Sequence, residues 1–235
     1  MNVNPRVIDT AGAAGPVRRV WYTAYGSNTH RDRLARYLAG GRFPGTDRTY
    51  PGCRDPRPPA ASAPVELVGQ VYFATESPVW TGGRAFYDPR AEGRALARAH
   101  LVTVGQFSDI VAQEMNREPG ADLDLSEVTE HGRAVLGPGR YETLVCPGTL
   151  DGCPVLTFTA PWGVRGIAWN KPSAPYVRVL ASGLLDAGAW DVRTIAEYVV
   201  SCPGAAGAWK TGEVAELIGE QGDMGLPAPP DSGPR

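Results

Sequence analysis

The stretch Val20 to Leu38, VWYTAYGSNTHRDRLARYL, decides how this chain of 235 residues is read. It opens on Val20-Trp21-Tyr22-Thr23-Ala24-Tyr25, a short apolar and β-prone run that reads as a buried strand. The run breaks at Gly26-Ser27-Asn28, after which Leu34, Tyr37 and Leu38 recur at the spacing of one helix face. Strand, small-residue turn and helix start together admit two readings. One is a plain strand-to-helix turn in which Ser27 or Asn28 caps the helix. In the other, Gly26 lets the backbone pass close to a ligand, and the N–H groups at the helix start hold an anion above the strand end.

Upstream, residues 1–17 are Gly, Ala, Pro and polar, and read as a disordered leader. Downstream, Gly40-Gly41 ends the first helix, and residues 43–64 are too rich in Pro and Gly for more than a brief strand near Thr49-Tyr50. Val65 to Thr75 reads as one strand with a bulge at Gly69. In Trp80-Thr81-Gly82-Gly83, the glycine pair indicates close backbone approach or positive φ ahead of a strand over Arg84 to Tyr87. Ala95 to Val104 is a further strand. Gln106 to Met115 follows with Phe107, Ile110, Val111 and Met115 at helical spacing and Glu114 at its end.

Residues 116–138 form a long loop crowded with Glu118, Asp122, Asp124, Glu127 and Glu130, which suits a lid or a specificity element. Gly139-Arg140-Tyr141 enters a strand whose hairpin partner is Val155 to Thr159, across a turn from Pro147 to Pro154. Asn170 to Ala174 leads into an amphipathic helix over Pro175 to Ala187 with Tyr176, Val179, Leu180 and Leu184 on one face, and a second helix runs from Asp191 to Val200. Beyond Pro203 the apolar pattern fades. The expected organisation is a leader over 1–17, one domain over 18–202 and a flexible tail over 203–235.

A net charge of −2 gives no electrostatic case for nucleic acid or an anionic membrane. No apolar run approaches the length of a membrane span and no signal peptide is visible, so the expectation is a soluble cytoplasmic protein. Cys53, Cys146, Cys153 and Cys202 form no CxxC pair and are expected as free thiols, with Cys146 and Cys153 the one pair that could face each other across the hairpin.

Tyr25-Gly26-Ser27-Asn28 at the end of an N-terminal strand resembles the YGSN signature of the γ-glutamylcyclotransferase-like superfamily. The ordered set of Trp80-Thr81-Gly82-Gly83, Glu114, Gly-x-Tyr141 and Pro172-Ser173-Ala174-Pro175-Tyr176 resembles the rest of that pattern, over roughly residues 20–200. The resemblance implies an α+β fold, a small mixed and mostly antiparallel β-barrel with helices packed outside. It also implies intramolecular aminolysis: a γ-glutamyl amide cyclises to 5-oxoproline and releases an amine, with no metal or cofactor. Glu114 would be the general base, with Glu118 the first fallback. Tyr25, Gly26, Ser27, Asn28, Gly82, Gly83, Tyr141 and Tyr176 would bind a small γ-glutamyl substrate. On base rates alone Glu114 is a solvent-facing helix glutamate, and Tyr141 reads equally well as a core aromatic of its strand.

Two other classes compete. Thr29 stands where the family usually has Leu, and the acidic loop could occlude the site. The alternative is therefore a catalytically inactive small-molecule binding protein on the same fold. A metal hydrolase would need partners for His30, His100 or His131, and none lies at short spacing.

Overall fold

Strand β1 (Arg19–Ala24) sits near the middle of a six-stranded mixed sheet in the computed structural model, which describes residues 3–10 and 17–219. The chain continues through α1 (Arg31–Ala39), the two-residue strands β2 (Gly41–Arg42) and β3 (Thr49–Tyr50), β4 (Ala61–Val68), β5 (Gln70–Ala74) and β6 (Arg84–Asp88). It then forms β7 (Arg94–Thr103), α2 (Val104–Glu114), α3 (Ser126–His131) and β8 (Arg133–Val135). The last elements are β9 (Thr143–Leu150), β10 (Cys153–Thr159), α4 (Ala174–Ala187), α5 (Val192–Ser201) and α6 (Thr211–Gly219). The strand order is β4-β7-β1-β10-β9-β8. Trp21 faces Leu101 of β7 in antiparallel register and Val155 of β10 in the sheet's parallel pairing. The fold is therefore α+β, with a mixed and mostly antiparallel sheet and six α-helices among the described residues.

Strand alternation divides β1 between two cores. Val20, Tyr22 and Ala24 pack with Leu34 and Leu38 of α1, Phe107 and Val111 of α2 and Val128 of α3. Trp21, followed by Tyr25, packs with Val65, Val155, and Leu180 and Leu184 of α4. Both faces of the sheet are thus covered, which explains why this strand reads as a continuous apolar run.

The closed barrel expected from the resemblance is not what the chain forms: the main sheet is open, and β5 and β6 make a separate two-stranded ribbon. The break lies at Gly69. The expected single strand over 65–75 is cut there, because Gly69 has φ +127° and an added Cβ would stand 2.5 Å from the Asp88 carbonyl. β4 consequently pairs with β7 while β5 turns away to β6. Where the ribbon approaches β10, a side chain replaces the backbone ladder. The Thr159 hydroxyl accepts the Tyr87 N–H at 3.0 Å and donates to the Tyr87 carbonyl at 2.7 Å.

The β9–β10 turn is shorter than expected. It consists of Asp151-Gly152, both at positive φ, so the strands run through Pro147 and Pro154. Cys153 then pairs with Leu150 and not with Cys146, and all four cysteines are free. Of the stretch expected as a leader, residues 3–10 lie on the domain: the Asp9 N–H donates to the Thr149 carbonyl at 2.8 Å and Arg6 pairs with Asp151 at 2.7 Å. Secondary structure also passes the expected boundary at 202, since α6 buries Val214 and Ile218; the remainder of the expected tail, residues 220–235, lies outside the described residues. No helix among the described residues is long and apolar enough to cross a membrane.

Candidate active site

Where β1 ends, the chain from Tyr22 to Asn28 lines a cavity of about 420 Å³. Gly26 is at φ −116°, so handedness does not demand glycine there. Space does: a Cβ on Gly26 would stand 3.0 Å from the Tyr176 hydroxyl and 3.5 Å from Ala85 Cβ. A short 3-10 turn follows over Ser27–Thr29. The Thr29 hydroxyl, fully buried, lies within donating distance of the Gly26 carbonyl (2.9 Å) and the Leu180 carbonyl of α4 (3.0 Å). The threonine that departs from the family pattern thus fastens this turn to the helix that carries Tyr176.

Neither Ser27 nor Asn28 caps α1; His30 occupies that position without a side-chain bond. The Asn28 amide is engaged elsewhere. Its Nδ2 donates to the Tyr22 hydroxyl at 3.0 Å and to Glu114 Oε1 at 3.3 Å, while its buried Oδ1 has no partner within the protein. The first and third of the family-like motifs, 86 residues apart in the chain, meet through this one side chain.

Glu114 arrives there because α2 is fixed at its start and packed along its length. A reciprocal capping box ties the Thr103 and Gln106 side chains to each other's N–H groups, at 3.1 and 3.0 Å. Phe107, Ile110 and Val111 are then buried against the sheet, and the half-buried Glu114 closes the last turn on the cavity side. Burial, and then the nearby Glu114 carboxylate, push the Tyr37 phenol well above its usual range. Glu118 is exposed and does not line the cavity.

Two tyrosines close the opposite wall on the peptide groups of one residue. The Ala85 N–H donates to the Tyr176 hydroxyl at 3.1 Å, and the Tyr141 hydroxyl donates to the Ala85 carbonyl at 2.9 Å. Tyr141 holds φ +72° for this, a conformation that costs a non-glycine residue about 1–3 kcal/mol. Tyr25 lines the cavity too, with its hydroxyl donated to the Phe158 carbonyl at 2.7 Å. Burial pushes the Tyr176 phenol up to about 12 and those of Tyr22, Tyr25 and Tyr141 above their ordinary value. These hydroxyls therefore stay protonated near neutrality, and Glu114 and Asp47 are the carboxylates of the lining.

Gly82 and Gly83 lie outside the lining. A Cβ on Gly82 would stand 2.4 Å from the Lys171 carbonyl, and one on Gly83 would stand 2.1 Å from the Asn170 carbonyl. The pair lets the 170–172 strap cross the ribbon, with the Gly83 N–H donating to the Lys171 carbonyl at 2.8 Å. The neighbouring Ser77–Trp80 segment lines the cavity in their place.

The acidic loop is no lid. Leu125, Val128 and Ala134 are buried in the core with α1 and α2, Asp122 pairs with Arg54 at 2.6 Å, and between 116 and 139 only Asn116 reaches the lining. Sequence reasoning also passed over four arginines of the lining, Arg33, Arg48, Arg84 and Arg140. Arg33 carried a usable signal. It stands four residues before Tyr37, on the apolar face of α1, where a solvent-facing cation has no place.

No protein-family model matches the chain. It is 28% identical over 189 residues to histone deacetylase 5 of Arabidopsis thaliana, covering 72% of this chain. The chain spans 28% of that protein's length. Among solved structures it is similar to a γ-glutamyl cyclotransferase, at 13% identity and a TM-score of 0.47 over 86% of this chain and 99% of that one. It is also similar to an uncharacterized protein from Homo sapiens, at 14% identity and a TM-score of 0.43 over 86% and 99% of the two chains.

Proposed function

We propose that this cavity cyclises a γ-glutamyl amide to 5-oxoproline and a free amine, with Glu114 as general base. The observation that carries the reading is the meeting of Glu114 with the Asn28 amide at 3.3 Å on the wall of a cavity that also contains Tyr25, Gly26 and Ser27. The reaction needs one proton relay and a folded substrate. Glu114 takes a proton from the substrate's α-ammonium, and the freed amine attacks the γ-carbonyl. A five-membered ring closes through a tetrahedral oxyanion. Glu114 then returns the proton to the departing nitrogen as the amide C–N bond breaks, and the ring nitrogen gives up its second proton to the released amine, which leaves as an ammonium. Tethering of amine and carbonyl supplies proximity, so the protein's task is to enforce the cyclic conformation and to receive charge.

The unpartnered Asn28 Oδ1 suits the same ammonium from a second direction. Tyr176 accepts the Ala85 N–H through its oxygen, so its own proton remains to be donated to the oxyanion. In this reading the turn N–H groups of Gly26 to Asn28 hold the substrate's α-carboxylate.

The test incubates the protein with a panel of γ-glutamyl amides and follows 5-oxoproline by mass spectrometry. Wild type is expected to release it from at least one compound. Glu114→Gln should lower turnover roughly 10²- to 10⁴-fold with an unchanged melting temperature, and Glu118→Gln should change little. A Glu114→Gln protein with most of its activity left would remove the assigned base.

A further inference from the structure

The cavity has more positive charge than its own carboxylates can offset. Arg33, Arg48, Arg84 and Arg140 face Asp47 and Glu114, and none of the four arginines forms an ion pair among the described residues. Arg33 is the extreme case. The residue is 2% exposed and its guanidinium is enclosed by rings, with Tyr50 at 4.5 Å, Tyr37 at 5.3 Å, Trp80 at 5.4 Å and Phe43 at 5.5 Å. Nη2 donates to the Tyr50 hydroxyl, whereas Nε and Nη1 are buried with no partner. Ring faces offset part of the desolvation of a cation but do not satisfy in-plane N–H donors. Nε shares one edge of the guanidinium plane with Nη2 and Nη1 shares the other, so an anion seated on either edge takes a donor that has no other partner. Further along the lining, Arg84 Nε and Arg140 Nε are likewise buried without partners.

We infer that Arg33 is the specificity-determining receptor for a second anionic group of the ligand, a carboxylate or a phosphate carried on the leaving amine. This rests on the γ-glutamyl reading above. The α-carboxylate is already assigned to the turn, and only the leaving side remains for Arg33. Tyr37 links the two: Arg33 Cζ stands 5.3 Å from its ring centroid, and Arg33, Tyr37 and Glu114 line the same cavity. Trp80, Phe43 and Tyr50 exclude water around the pair, which strengthens its attraction.

The experiment compares three substrates with the same scissile bond: γ-glutamyl-glycine, γ-glutamyl-O-phosphoethanolamine and γ-glutamyl-ethylamine. Wild type should favour one or both anionic substrates over the neutral one by 10-fold or more in kcat/KM, and the preferred member names the source of the anion. In Arg33→Gln, the loss on the anionic substrates should exceed the loss on the ethylamide by roughly 10- to 100-fold, with Arg33→Lys recovering part of it. Equal losses on all three substrates, or a wild type without preference, would overturn the assignment while leaving the cyclisation intact. If wild type cyclises none of them, the proposed reaction fails by itself, and the receptor is then read by NMR titration with glycine, O-phosphoethanolamine and ethylamine. Binding of an anionic amine that weakens selectively in both Arg33 variants supports it, and the absence of such binding refutes it. Melting curves of the two variants separate a lost contact from a lost fold.

Discussion

Asn28 shows how much a single side chain can be asked to do. At 5% exposure it joins the 3-10 turn to the last residue of α2, although the two lie far apart in sequence. Asn28→Ala removes a hydrogen bond to a carboxylate, and we expect turnover to fall roughly 10- to 100-fold with little change in melting temperature. Ser27→Ala keeps its backbone N–H and should be mild. Gly26 offers a sharper contrast, because its φ is open to any residue while its space is not. Gly26→Ala pushes against the Tyr176 hydroxyl at 3.0 Å, and Gly26→Val pushes harder. Both proteins should fold by circular dichroism, with the alanine variant impaired and the valine variant inactive toward γ-glutamyl amides. An active, folded Gly26→Val protein would count against a ligand site at this turn.

At the scale of elements, the insert over 116–138 and the 170–172 strap brace the site without lining most of it. Val128 of α3 is fully buried among residues of α1 and α2. Val128→Ala should therefore cost about 2 kcal/mol of stability, read as a drop of several degrees in melting temperature, while the preference among substrates stays as it was. A shift in substrate preference at unchanged stability would return the insert to the role of a specificity element. Gly83→Ala drives a methyl into the Asn170 carbonyl at 2.1 Å and should cost about 1–3 kcal/mol. Its effect on turnover should be indirect and reversed by lowering the assay temperature, as befits a residue that seats the strap.

For the molecule as a whole, the layered arrangement buries a histidine. His100 of β7 is 1% exposed beneath the Tyr22 ring, with the Ser62 hydroxyl 2.8 Å from Nδ1, and its Nε2 has no partner. Burial first, and then the Arg98 charge, lower its pKa from 6.5 to about 3. In the unfolded chain His100 takes up a proton below pH 6.5, and in the folded protein only near pH 3, so between these values the unfolded state binds more protons. Stability should thus fall with acidification from about pH 6.5 downward, by at most about 1.4 kcal/mol per pH unit from this group. Denaturant titrations at pH 7.5, 6 and 5 should show that slope in wild type and a shallower one in His100→Gln. Parallel slopes would assign the acid sensitivity to carboxylates instead.

The strand over 20–25, the helix faces of Leu34 and Tyr176, and the end of α2 at Glu114 were legible in the sequence because each depends on local periodicity. The open sheet was not. It turns on Gly69, where the same glycine fits a bulge or a break, and on a Thr159 hydroxyl that substitutes for a ladder only once β10 lies beside the ribbon. The glycine pair at 82–83 announced close approach without saying to what, and the answer is a carbonyl of the strap and not a ligand. Sequence by itself determined which residues are buried together along each element, since a period of two or of 3.6 is a property of the chain. Only the tertiary structure decided that Asn28 meets Glu114 and that Arg33 keeps two nitrogens without partners in the same lining. Those pairings join segments whose separation along the chain contains no information about their separation in space.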